Sequence, residues 1–194
     1  MDDEAQRAAV GELVLSTRDL MLAVGTTELP PEEVAAARAE IDALAARLGV
    51  GRRDRVLRAG FDGPAKAKAN GVPWRSFAYN PMAIPFDMTF EGTTARGRLE
   101  ANAIHEGPAD SLHGGYAAHL MDCVLGTMMQ ANGYRAVTGT LEIRYVRRTP
   151  LDQPLELFGE IVRSAGRKHT ARGWISHDGE PTVEATGLFV EVAR

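Results

Sequence analysis

The residues best suited to chemistry are the run His113-Gly114-Gly115, followed by Asp122 and then by Gly126. A helix that begins at two glycines presents unpaired backbone N–H groups at the positive end of its dipole. Because glycine has no side chain, the carbonyl oxygen of a bound ester or thioester can approach this backbone, and Asp122 is expected about two turns along the same helix. The pattern predicts an acyl-transfer site in which a backbone N–H polarises a carbonyl beside a carboxylate that acts as base or nucleophile.

The remaining histidines and the cysteine do not indicate a metal site or a second nucleophile. The histidines show no close ligand spacing and no cysteine pair accompanies them; they are His105, His119, His169 and His177. The single Cys123 excludes an intramolecular disulfide, and its place in an apolar helical pattern favours a small buried side chain. We predict that the protein needs neither a metal nor a cofactor.

Composition and charge predict one globular domain with an appendage. The chain has 194 residues, of which 44% are hydrophobic, and a net charge of −4. Residues 135–172 carry eight basic and four acidic side chains, a balance suited to an anionic ligand. Nucleic acid is disfavoured because the total charge is acidic and no row of aromatics interleaves with the arginines. With no signal peptide and no apolar run that approaches a membrane span, a cytoplasmic protein is expected.

The first part of the chain predicts a helical extension. Apolar residues at helical spacing and Pro30-Pro31 predict a helical hairpin over residues 5–49, with apolar stripes that must be buried on the body of the protein or across a dimer. Residues 49–71 are rich in Gly, Arg, Lys and Ala, which is typical of a linker or a loosely held surface segment. We therefore divide the chain into an extension with its linker, residues 1–71, and a second domain, residues 72–194.

The second domain predicts two strands, a long helix and four more strands. The strands are expected at residues 84–91 and 93–101, then at 137–146, 155–164, 169–177 and 182–192, the last four as an antiparallel meander. In the first strand of that meander, alternation places Val137, Leu141, Ile143 and Tyr145 on one face and Thr138, Thr140, Glu142 and Arg144 on the other.

The helix between these strands, over residues 115–132, is apolar over a broad face. That face contains Ala117, Leu120, Met121, Val124, Leu125, Met128 and Met129. It is wider than a surface helix needs, so the sheet is expected to curl around it. A separate flank of small residues surrounds Asp122 and leaves room for a ligand or for the backbone of another subunit.

These motifs, in this order, resemble the hotdog-fold acyl-CoA thioesterases, specifically their phenylacetyl-CoA thioesterase-like branch. The resemblance covers residues 80–192 and rests on six fragments. They are Asn80-Pro81 with Pro85, Glu106-Gly107-Pro108, His113-Gly114-Gly115 with Asp122 and Gly126, residues 137–141, residues 145–150, and residues 184–189. The resemblance implies an α+β hotdog fold, in which an antiparallel sheet wraps a long central helix, here preceded by a helical hairpin.

The resemblance also assigns roles to residues. It makes Asp122 the catalytic carboxylate, Gly114 the backbone donor to the thioester carbonyl, and Thr138 a hydroxyl that helps to place water, usually from the partner subunit. His113 occupies the place of the family's motif histidine, with Gly115 beside it at the substrate. Several relatives carry an Asn shortly before the motif, for which Glu106 is the predicted replacement.

Coenzyme A is the substrate group that the resemblance implies, held at two basic segments. The first contains Tyr145, Arg147 and Arg148, and the second is the turn Gly166-Arg167-Lys168. We expect these two segments to converge on the phosphates. We expect a homodimer or a dimer of dimers that hydrolyses acyl-CoA. The alternatives are a hotdog protein that binds acyl-CoA without turnover and another hotdog enzyme, such as a hydratase.

Overall fold

A computed structural model describes residues 3–192, which form an α+β structure around one antiparallel sheet. The helices are α1 (Asp3–Gly25), α2 (Pro31–Gly49), α3 (Gly63–Ala69) and α4 (Gly114–Ala131), with a 3-10 helix at Ala103–His105. The strands are β1 (Trp74–Ser76), β2 (Phe86–Glu91), β3 (Thr94–Glu100), β4 (Ala136–Tyr145), β5 (Pro154–Ala165), β6 (Lys168–His177) and β7 (Glu180–Glu191). The two predicted strands, the long helix and the four later strands are all confirmed. No helix in this part of the chain is long and apolar enough to cross a membrane.

Helix α4 lies in the centre of the fold. All seven residues of its predicted apolar face are buried and contribute to one core with side chains from the sheet, among them Leu157, Ile175 and Phe189. The helix ends before Gly133, whose φ of +81° is a left-handed conformation that glycine adopts without strain. A sheet wrapped around a long central helix, as expected from the width of the apolar face, is therefore confirmed.

The position of β4 differs from the predicted meander. The strand order is β1-β2-β3-β5-β6-β7-β4, so β4 pairs with β7 and not with β5. Of the four strands predicted to form a meander, β5, β6 and β7 do so and β4 does not. Alternation along a strand specifies which face is buried but not which strand is its neighbour. The result is that β4 is an edge strand.

A bulge at Gly139 also overturns the predicted faces of β4. Thr138 pairs with Phe189 and Thr140 pairs with Leu188, so Gly139 is an extra residue in the ladder. An extra residue moves every side chain that precedes it in the strand to the opposite face of the sheet. Thr138 therefore lies on the same face as Leu141, Ile143 and Tyr145, whereas Val137 points outward and is 53% exposed.

The two predicted N-terminal helices are confirmed, and they pack differently. Val14 of α1 is buried, and the Arg18 guanidinium donates to the carbonyl oxygens of Phe77 at 2.5 Å and Asn80 at 2.8 Å. Helix α2 buries none of its side chains within one chain. Burial of the α2 stripe across a dimer therefore stays a prediction.

The predicted linker contains a helix that sequence reasoning missed. Helix α3 packs against α4 and buries Pro64 and Ala67. Its Lys68 donates to Asn132 Oδ1, just beyond the C-terminus of α4, at 2.7 Å. Seven residues of Gly, Pro, Ala and Lys have no apolar periodicity, which is why the pattern gave no signal. The linker is therefore anchored directly to the central helix.

Candidate functional site

The N-terminus of α4 presents one free backbone donor. His113 is the N-cap, and its Nδ1 accepts a hydrogen bond from the N–H of Gly115 at 2.9 Å. The N–H groups of Tyr116 and Ala117 donate to the carbonyl of His113. Within residues 3–192 the N–H of Gly114 makes no hydrogen bond. Gly114 is thus available to donate to a ligand, while Gly115 is engaged by the cap.

Tyr145 fixes the first turn of this helix. Its hydroxyl donates to the carbonyl of Gly114 at 2.9 Å. A Cβ atom built on Gly114 would lie 3.1 Å from the Tyr145 ring, so a larger residue would crowd this contact. The structure places Tyr145 against the first turn of α4, where its hydroxyl holds the carbonyl of the residue whose N–H is free.

The loop before the motif is braced by its own hydrogen bonds. Glu106 Oε1 accepts from the N–H of Asp110 at 2.7 Å, which closes the loop that leads to His113. The carbonyl of His105 accepts from the N–H of His113 at 2.8 Å. Burial lowers the pKa of His105 from 6.5, and the charge of Arg18 adds to this effect. A neutral His105 thus supports the loop, and one oxygen of the Glu106 carboxylate is engaged within it.

Asp122 lies two turns along α4, where Thr138 holds its carboxylate. The Thr138 hydroxyl donates to Asp122 Oδ1 at 2.7 Å within the same chain, because the bulge at Gly139 turns Thr138 toward the helix. Both side chains line a groove of about 720 Å³. Burial, with a smaller contribution from the Asp122 charge, raises the pKa of the adjacent Cys123 to about 12. The Cys123 thiol is therefore protonated near neutral pH, whereas Asp122 is oriented toward an open groove.

The two halves of the predicted site are far apart in one chain. Gly114 and Asp122 are eight residues apart, and at 1.5 Å per residue they are about 12 Å apart along the helix axis. One carbonyl group cannot contact both the Gly114 N–H and the Asp122 carboxylate at that separation. The expectation that the backbone donor lies beside this carboxylate is wrong for a single chain.

The basic residues predicted to hold phosphates are only partly free. Arg147 donates to the carbonyls of His177, Glu180 and Pro181 in the turn between β6 and β7. Arg167 donates twice to the carbonyl of Glu191, at 3.1 and 2.7 Å. The side chains of Arg148 and Lys168 make no hydrogen bond or ion pair with another part of the chain that the structure describes.

The two basic segments also do not converge within one chain. Lys168 pairs with Val190 of β7, whereas Tyr145 pairs with Val183 of the same strand. These partners are seven residues apart, which corresponds to about 23 Å along a strand. The turn at Gly166, whose φ is +56°, lies at one end of the sheet. Arg147 and Arg148 follow the last residue of β4 and lie at the opposite end. The predicted convergence is therefore wrong for a single subunit.

Sequence reasoning missed two segments that line the groove beside Asp122. One is residues 56–61, in the connection between α2 and α3, and the other is residues 77–80. The only signal in the first segment is that Val56, Leu57 and Phe61 are apolar among arginines.

No group of three or more His, Cys, Asp or Glu side chains that could hold a metal lies within residues 3–192.

No family model matches the chain, but many solved structures do. A crystal structure of a thioesterase superfamily protein matches with a TM-score of 0.80 and 28% identity, over 93% of this chain and 94% of that one. This match includes most of the N-terminal extension.

Two other similar structures match just over half of this chain. A hypothetical thioesterase from Streptococcus pneumoniae TIGR4, solved with coenzyme A, matches with a TM-score of 0.53 and 20% identity, over 56% of this chain and 87% of that one. A phenylacetic acid degradation-related protein from Ralstonia eutropha JMP134 has a TM-score of 0.50 and 17% identity, over 54% of this chain and 83% of that one. The resemblance predicted from the motifs is confirmed: the structural neighbours are thioesterase superfamily proteins, and the fold is the hotdog fold.

Proposed function

Because the chain has the hotdog fold of the thioesterase superfamily, we propose that it hydrolyses acyl-CoA thioesters to a free acid and coenzyme A. The observation that carries the proposal is the Asp122 carboxylate, held by Thr138 at 2.7 Å and facing an open groove. In the S. pneumoniae protein, solved with coenzyme A, an aspartate and a threonine 16 positions later have each been replaced by alanine, the same separation as here. The shared spacing supports the assignment of Asp122 as the catalytic carboxylate and of Thr138 as its hydroxyl partner.

Thioester hydrolysis requires few groups beyond the Asp122 carboxylate and the Thr138 hydroxyl. With Asp122 as general base, water gives a proton to the carboxylate and its oxygen bonds to the carbonyl carbon; the C–S bond then breaks and the thiolate takes up the proton. With Asp122 as nucleophile, its oxygen bonds to the carbonyl carbon and the C–S bond breaks, which gives a mixed anhydride and the coenzyme A thiolate. Water then hydrolyses the anhydride, which releases the free acid and restores the Asp122 carboxylate. A thiolate with a pKa near 8.5 departs readily. Neither route needs a metal or a cofactor beyond the coenzyme A of the substrate.

A second copy of the chain supplies the backbone donor in this proposal. Strand β4 has one unpaired edge, with Thr138 toward one end and Tyr145 at the other. Antiparallel pairing of two β4 edges about a two-fold axis brings the Tyr145 end of one copy to the Thr138 end of the other. The free N–H of Gly114 of the partner subunit, at the start of a helix that His113 of the partner subunit caps, then faces Asp122. Pairing also covers an edge that otherwise invites aggregation.

The same pairing accounts for the separated basic segments. It brings Arg147 and Arg148 of one copy toward the Gly166-Arg167-Lys168 turn of the other, where Arg148 and Lys168 retain free charges for phosphate. Two subunits would then share each coenzyme A. Sedimentation should show a dimer or a dimer of dimers at assay concentration, and a fully active monomer would refute the shared site.

The substitution Asp122→Asn tests the activity directly. It preserves size and an oxygen that can accept from Thr138, yet removes the base or nucleophile, so release of free thiol should fall at least about 100-fold. Asp19→Asn, at an exposed position of α1, is the matched control and should retain activity. Turnover that survives in a folded Asp122→Asn protein would overturn the assignment.

Calorimetry with the same acyl-CoAs separates the alternative functions. Binding without thiol release in the unmodified protein would favour an acyl-CoA-binding protein. A change of the acyl group without thiol release would favour a hydratase.

A further inference from the structure

The groove beside Asp122 has a second wall, which comes from outside the long strands and the central helix. Residues 56–61, in the connection between α2 and α3, line it together with Asp122 and Thr138. The wall is largely apolar, with Val56, Leu57 and Phe61 facing the groove. A connection that sequence alone predicts as a linker thus borders the candidate catalytic carboxylate.

Phe61 is held in place from two sides. The Arg135 guanidinium carbon lies over its ring, 4.7 Å from the centroid, a cation–π contact at the start of β4. Helix α3 begins two residues after Phe61 and packs against α4, with Gly63 close against the Trp74 ring. These contacts fix the position of the ring relative to α4, which carries Asp122.

Helix α1 connects the two segments that close the groove. Arg7 donates to the carbonyl of Arg58 at 3.3 Å, and Arg18 donates to the carbonyls of Phe77 and Asn80. Both acceptor segments line the groove. The N-terminal extension therefore has a structural relation to the site, because α1 holds the backbone of its walls.

We infer that this groove receives the acyl group of the thioester and that residues 56–61 set the size of acyl group the protein accepts. The inference rests on the proposed function, since the thioester carbonyl must lie at Asp122. The aromatic side chains Phe61, Trp74, Phe77 and Phe189 in the lining suit an apolar group. A volume of about 720 Å³ lies within the usual range of roughly 300–1,000 Å³ for small-molecule pockets.

Opposite changes at Phe61 test the inference in the full-length protein. Phe61→Ala enlarges the groove and should raise the ratio of kcat/KM for a long acyl-CoA to that for a short one by roughly tenfold. Phe61→Trp reduces the space and should lower that ratio. Val50→Ala is the control, because Val50 is 91% exposed at the end of α2 and does not line the groove. Circular dichroism of each variant shows whether it is folded.

Binding of non-hydrolysable thioether analogues of two acyl lengths separates this inference from the proposed activity. If the unmodified protein releases no thiol but the Phe61 variants shift the ratio of affinities in opposite directions, hydrolysis fails and the acyl groove stands. If Phe61→Ala and Phe61→Trp leave the preference for acyl length unchanged in both turnover and binding, the inference is wrong whether or not thioesters are hydrolysed.

Discussion

Replacement of Gly114 by proline removes one backbone N–H at the point where a carbonyl oxygen is proposed to bind. Gly114 is the first residue of α4, a position at which proline fits because its missing N–H has no partner within the helix. His113 before it has φ −61° and ψ 132°, an extended conformation that a residue preceding proline favours. The substitution should therefore remove the donor and leave the helix intact.

The expected magnitude follows from the role of a single donor to an oxyanion. Loss of one such donor lowers kcat by about 100- to 1,000-fold, or about 2.7–4 kcal/mol of transition-state stabilisation. Gly114→Ala is the matched control because its Cβ meets the Tyr145 ring at 3.1 Å, yet it keeps the N–H. A shift of a few tenths of an ångström relieves this contact. The difference between the two variants thus measures the N–H separately from the crowding.

The assay is thiol release with kcat and KM determined for Gly114→Pro, Gly114→Ala and the unmodified protein. If proline and alanine lower kcat equally, crowding against Tyr145 accounts for the loss and the donor role of Gly114 is refuted. Thermal unfolding monitors whether each variant retains the fold.

Mixed dimers extend this test to the shared site. When a Gly114→Pro subunit pairs with an Asp122→Asn subunit, one shared site is intact and the other carries both changes, so about half of the activity per dimer should return. If both groups act from the same chain, each site has one defect and the mixed dimer stays inactive. An inactive mixed dimer would refute the arrangement across subunits.

Two further predictions concern the extension and the loop before the motif. Arg18→Met should lower the free energy of unfolding by about 2 kcal/mol and change acyl-length preference, because the carbonyls of Phe77 and Asn80 lose a charged donor; unchanged stability and preference would contradict this role. Because burial lowers the pKa of His105 below 6.5, protonation favours the unfolded chain, so this contribution to stability is present above pH 6.5 and is lost as pH falls below it. The asparagine of His105→Asn does not titrate in this pH range. The Tm of this variant should therefore fall less between pH 7.5 and pH 5 than the Tm of the unmodified protein, and an equal fall would exclude the effect.

Much of the fold follows from local patterns. The apolar face of α4 is wide enough to require a surrounding sheet, and alternation locates every long strand to within a few residues. The His113-Gly114-Gly115 run places a helix start where the structure has one, with His113 as its cap. The short elements β1 and α3 gave no such signal, because three to seven residues are too few to show a period.

The sequence by itself determined the central helix, its glycine-rich start and the carboxylate on its flank of small residues, because these depend on periodicity and on residues close together in the chain. Tertiary structure decided that β4 lies beside β7, that the bulge at Gly139 turns Thr138 to Asp122, and that residues 56–61 form a wall of the groove. The physical reason is that alternation within a strand does not specify its neighbour, and a one-residue bulge reverses every face before it. The contacts that complete the candidate site join residues far apart in the chain, and these depend on how the sheet closes around α4.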